Sequence, residues 1–92
     1  MPSKIVRVTL GAGSYTAFDP TINGRCRCTW FQATGINVRV IGESDSQPGL
    51  NDANYAFYPS SAQILFQMDL NPAKTWARAD TGGGYIELCI QY

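Results

Sequence analysis

Reactive or metal chemistry in this chain would fall to three cysteines, Cys26, Cys28 and Cys89, and to seven carboxylates, because the sequence contains no histidine. The commonest general base, metal ligand and activator of a nucleophile is therefore missing. Cys26 and Cys28 stand two apart in a strand-like run. They share one face, separated by two residues' rise, too far for an easy disulfide. Cys89 is free to bridge to either. A zinc site would want a Cys-x-x-Cys pair in a turn and a further ligand. Three small buried thiols in a reducing compartment is the plainer reading. A cysteine nucleophile would lack its histidine, and alternation places Arg25 and Arg27 on the face opposite the thiols. Asp19, Glu43, Asp45, Asp52, Asp69, Asp80 and Glu87 fall mostly in turns, where carboxylates cap backbone amides. They do not suggest two acids held in contrasting environments. Gly82-Gly83-Gly84 lacks the Lys-Ser/Thr and helix of a phosphate loop, and Gly11-Ala12-Gly13-Ser14 keeps only two glycines of a dinucleotide fingerprint. The chain reads as non-enzymatic, with no metal and no cofactor.

The remaining chemistry is recognition. Arg25, Arg27 and Arg39 lie on two runs that read as a hairpin, where they would form one cationic stripe. Tyr55, Phe57 and Tyr58 follow a long polar loop, and tyrosine is enriched at interfaces and in sugar-stacking sites. Seven Lys/Arg balance seven Asp/Glu. A neutral chain lacks the basic face that general nucleic-acid binding needs. Docking onto protein is the better expectation.

These side chains must be positioned by strands. Residues 4–10 alternate, with Lys4, Val6, Val8 and Leu10 on one side. Residues 25–32 set Cys26, Cys28 and Trp30 toward the core, against Arg25, Arg27 and Thr29. Residues 36–41 set Ile36, Val38 and Val40 inward, and Asn37 and Arg39 outward. In residues 62–69, Ala62, Ile64, Phe66 and Met68 share a face. In residues 75–79, Trp76 and Arg78 oppose Thr75, Ala77 and Ala79. In residues 84–92, Ile86, Leu88 and Ile90 oppose Tyr85, Glu87, Cys89 and Gln91, and the apolar content of both faces predicts a central strand. Trp30, Phe66 and Trp76 are expected in the core. Thr34-Gly35 reads as one hairpin turn, and Asp80-Thr81-Gly82-Gly83-Gly84 as a second with glycines at positive φ. Residues 42–54 form the longest loop, 54–59 a short edge strand ending at Pro59, and 11–24 an irregular crossing or one helical turn. Together these predict one all-β domain over 1–92: a small antiparallel β-sandwich, Greek key or jelly-roll-like, of six to seven short strands. Residues 1–10 are available as an N-terminal arm.

Charged residues are only 15% of the chain, against about 25% in typical soluble domains. A core this small is marginal alone. Both facts predict association, as a dimer or trimer or on a larger assembly. No signal-peptide pattern or long apolar run is evident, so synthesis in the cytoplasm and no membrane contact are expected.

One set of motifs adds to this. Tyr-x-x-Tyr-Pro-Ser-Ser-Ala at 55–62, Asp-Leu-Asn at 69–71 and Thr-Trp-Ala-Arg-Ala-Asp-Thr-Gly-Gly-Gly-Tyr-Ile-Glu-Leu at 75–88, with Asn37-Val38-Arg39-Val40 upstream, resemble small virion proteins of tailed bacteriophages. The resemblance spans about residues 25–92. It implies a structural protein of the virion, most of all a capsid decoration (cement) protein that clamps neighbouring major capsid subunits. The alternatives are a tail, baseplate or fibre-associated component and, from another class, a carbohydrate-binding module stacking sugars on Tyr55, Tyr58 or Trp76. The expected contact residues are Lys4, Arg7, Arg25, Arg27, Arg39, Tyr55, Phe57 and Tyr58, chosen because hot spots favour Tyr, Trp and Arg.

Overall fold

A computed structural model describes residues 2–60, 63–64 and 68–92. Its strands are β1 (Ser3–Gly11), β2 (Thr16–Ala17), β3 (Cys26–Thr34), β4 (Val38–Ile41), β5 (Ala56–Tyr58), β6 (Gln63–Ile64), β7 (Met68–Leu70), β8 (Trp76–Ala79) and β9 (Gly83–Gln91). All pairings are antiparallel. The first sheet runs β1-β9-β3, and β6 and β7 share the far edge of β3; the second runs β2-β8-β4-β5. The chain changes sheet at nearly every connection, and each sheet is four strands wide. This is jelly-roll wiring, in agreement with the all-β sandwich expected from the alternation. The nine strands among the described residues outnumber the expected six to seven because the two-residue β2 is too short to show a period and the run expected at 62–69 holds two separate strands, β6 and β7. β2 lies within 11–24, where the sequence predicts an irregular crossing or one helical turn.

The core lies between the sheets. Val8, Leu10, Cys26, Cys28, Phe31, Ala33, Leu70, Ile86, Leu88 and Ile90 from the first sheet meet Val38, Ala77 and Ala79 from the second, with Phe18 and Ile36 completing the cluster. Alternation in β1, β4, β8 and β9 is as the sequence predicts, and β9 is central, between β1 and β3. Residues 3–10 of the segment offered above as an arm belong to the edge strand β1, paired with β9 from Ser3↔Gln91 to Gly11↔Gly83. The alternation expected in 62–69 falls largely outside the described residues, and the Phe66 expectation lies wholly outside them.

Three expectations are corrected. Thr34-Gly35 is not a hairpin turn: β3 and β4 belong to different sheets. The same holds for 80–84, because β8 and β9 also belong to different sheets. Both links are corners, and they lie side by side. Thr34 pairs with Tyr85 in one sheet, Val38 with Ala79 in the other, and Asp80 N–H donates to the Asn37 carbonyl at 2.8 Å. Gly35 (φ 75°) and Gly82 (φ 73°) supply the left-handed residue each corner requires. The third correction concerns Trp30. A bulge between Cys28 and Trp30 adds a residue to β3, so the inward set passes from Cys26 and Cys28 to Phe31 and Ala33. Trp30 pairs with Cys89 instead, on the outer face of the sheet.

Candidate functional site

Splitting the predicted hairpin between two sheets also splits the cationic stripe. Arg27 is on β3 in the first sheet and Arg39 on β4 in the second. Each of the five predicted contact cations has an acidic partner. Lys4 meets Asp19 at 2.7 Å, Arg7 meets Glu87 at 3.5 Å, Arg25 meets Glu43 at 3.1 Å, Arg27 meets Asp69 at 3.5 Å and Arg39 meets Asp80 at 2.6 Å. The Lys4–Asp19 pair is the most built of these. Burial alone would raise the Asp19 carboxyl, but hydrogen bonds from Lys4 and from the hydroxyl and N–H of Thr21 outweigh it and hold the group below the usual carboxylate range. Arg7 also stacks on Tyr85, 4.3 Å from the ring centroid. Arg25 and Arg27 border a surface cleft of about 380 Å³ with Asp69 and Tyr92. Arg25 and Glu43 also border a second cleft, about 350 Å³, lined by Phe18, Val40, Tyr58 and Leu70.

The predicted residues that do come together are Arg39, Tyr55 and Phe57, on the outer face of the second sheet. Register places Phe57, Arg39 and Arg78 in one row across β5, β4 and β8. Val38 and the core-facing alanines occupy the other face. Tyr55 covers the Arg39 guanidinium at 4.4 Å, while Asp80 holds its Nε from the side. Phe57 is 50% exposed beside them. Tyr58, the next residue, points the opposite way. It packs on Phe31 with ring centroids 5.2 Å apart, and burial raises its hydroxyl pKa. It is a core-edge residue rather than a contact residue of this face.

Sequence reasoning missed Arg78, which is 6% exposed. Its Nη1 donates to the carbonyls of Ala79 (2.9 Å), Ala12 (3.4 Å) and Asp80 (3.4 Å), and its Nη2 to Leu50 (3.2 Å). Tyr15, only 2% exposed, lies under the guanidinium at 5.5 Å. Trp76 is also outside the core. It faces this layer and donates from Nε1 to the Ser44 carbonyl at 2.9 Å. Gln47 reaches the Tyr15 carbonyl at 2.8 Å, and Ser44 N–H donates to the Lys74 carbonyl at 2.9 Å. The long 42–54 loop is thereby fastened over part of the outer face, and Leu50 stays 43% exposed on top. Alternation pointed Trp76 and Arg78 away from Ala77 and Ala79, but nothing local told that a distant loop would bury them.

The thiols do not converge. Cys26 and Cys28 are buried in the core, whereas Cys89 is half-buried across from Trp30 on the outer face. Burial, with the neighbouring Cys89 adding to it, pushes the Cys28 thiol up to about 11. Among the described residues no three His, Cys, Asp or Glu side chains are placed to hold a metal ion. What this arrangement offers chemically is a docking surface: apolar and aromatic side chains around Arg39, whose charge is met by Asp80, and Arg78, whose guanidinium is held by backbone carbonyls. No family model, curated protein or solved structure matches this chain.

Proposed function

We propose that the chain is a non-enzymatic structural protein of a tailed-phage virion, a decoration protein that binds the outside of the shell and bridges neighbouring major capsid subunits. The observation that carries this reading is the outer face of the second sheet. Phe57 is exposed there opposite an Arg39 already held by Tyr55 and Asp80, and Leu50 is exposed where its carbonyl accepts from Arg78. Interface cores favour aromatic residues and arginine and are poor in free charge. The ion pairing of Lys4, Arg7, Arg25 and Arg27 speaks in the same direction, because it leaves little cationic surface for nucleic acid. A jelly-roll sandwich suits a virion protein by analogy of fold only. The stacking of Arg39 on Tyr55 counts against the carbohydrate module, which needs that ring face open to a sugar.

The test is binding to shells assembled from the major capsid protein of the same virus. Phe57→Ala is the cleanest probe, since the ring is exposed and outside the core cluster. Its folded stability should stay within about 0.5 kcal/mol of the parent, as for other exposed positions. Loss of the ring from an interface core should weaken shell binding by about tenfold or more. Unchanged occupancy would remove this face from the contact.

A further inference from the structure

We propose that the free edge of β1 is a self-association surface, on which a second copy of the chain adds its own β1 antiparallel, with Ile5 opposite Ile5 of the other copy. This inference is independent of the proposed virion role.

The argument starts from the sheet edges. Three are blunt: β2 has two residues, β5 three, and the far side of β3 carries only the short segments β6 and β7. Short edges are a usual defence against unwanted pairing. β1 is different. It is nine residues long, regular in register with β9 throughout, and contains no proline. Among the described residues no strand pairs with its other side. A long regular edge offers a row of backbone donors and acceptors to another strand.

β1 carries two charges that resemble guards: Arg7, paired with Glu87, and Lys4, an inward-facing charge of the kind that discourages pairing on an edge strand. The Lys4 charge is met inside the same chain by Asp19 at 2.7 Å.

The side chains select both occupant and register. Ile5 is 64% exposed, the highest value among the exposed large hydrophobics. It pairs with Cys89, which pairs with Trp30, giving an apolar row across β1, β9 and β3 on the outer face. The row stops at the β1 edge. Antiparallel pairing centred on Ile5 continues it into the same row of the second copy, and the Ile5 side chains cover each other at the two-fold axis. The same register sets Ser3 opposite Arg7. A register centred on Arg7 would place two guanidinium groups directly opposite, which is unfavourable. A net charge of zero adds no overall repulsion between copies. Five residue pairs make a contact smaller than the ~1,200–2,000 Å² of a stable interface. The dimer is therefore reversible and concentration-dependent.

Sedimentation velocity from about 1 μM to about 1 mM spans the affinity range of such a contact. The expected result is a monomer–dimer equilibrium for the parent chain. Ile5→Lys and Ile5→Glu should each be monomeric through the range, because each places like charges opposite one another. Mixed in equal amounts, the two variants should form a heterodimer. Circular dichroism confirms that both stay folded. Phe57→Lys, on the other sheet, should dimerise as the parent does. A parent chain monomeric throughout, dimerisation that survives both Ile5 variants, a trimer, or an equal mixture that stays monomeric would each overturn the proposal. The Phe57→Ala shell assay reads a different sheet, so the two proposals fail separately.

Discussion

At the scale of single residues, the position that says most about this molecule is Arg78. A guanidinium in a layer this buried is tolerated because its planar fork meets four carbonyls from three separate stretches of chain, and Tyr15 lies against its face. It is a tie-point for the loop that covers the second sheet. Arg78→Ala should therefore lower stability by about 2–3 kcal/mol, through orphaned carbonyls and lost packing. Urea unfolding would show this as a lower midpoint. Arg78→Lys should recover only part, since an ammonium cannot span the same acceptors. The sequence displays Arg78 as one of several strand arginines, and its outward direction was legible from alternation. Its burial was not, because the covering comes from residues 12 and 50, far away in the chain. Trp30 shows the same limit in another form. A single bulge residue reverses a face assignment that period-two reading makes confidently.

At the scale of elements, the two glycine-bearing links decide the topology. A tight turn between alternating runs signals a reversal of direction, and it says nothing about whether the next strand stays in the sheet. Here both reversals are corners, and they pack against each other. Gly84 records how closely. A Cβ there would stand 2.8 Å from Ile36 Cγ2 and 2.9 Å from the Thr34 carbonyl oxygen. Gly84→Ala should consequently destabilise the fold by about 1–3 kcal/mol through overpacking. Gly11→Ala, where nothing lies within 4 Å, should leave stability nearly unchanged. Thermal melts of the two variants side by side would separate close approach from general glycine effects. The strand positions of β1, β3, β4, β8 and β9 and most of their inward faces were readable from the residues. The pairing was not, because partners such as Val38 and Ala79 are about half the chain apart.

At the scale of the whole molecule, neutrality is achieved locally. Arg25, Arg27 and Arg39, which read as a stripe, are separate ion pairs spread over both sheets, as are Lys4 and Arg7, and the exposed pairs are individually weak. They blunt the charge of the surface without creating a basic face. What remains for recognition is apolar: Phe57 and Leu50 on one sheet, Ile5 and its row on the other. The predicted contact residues lie together only in part. Arg39, Tyr55 and Phe57 converge, while Lys4, Arg7, Arg25 and Arg27 do not join them and Tyr58 turns to the core. We propose that the shell of a virion covers the Phe57 face, and the most direct measurement of this is the copy number of this chain in purified virions, by quantitative mass spectrometry against the major capsid protein. Hundreds of copies are expected, in a fixed ratio to the major capsid protein. Absence from the particle, or only a few copies as expected of a tail or fibre part, would contradict it.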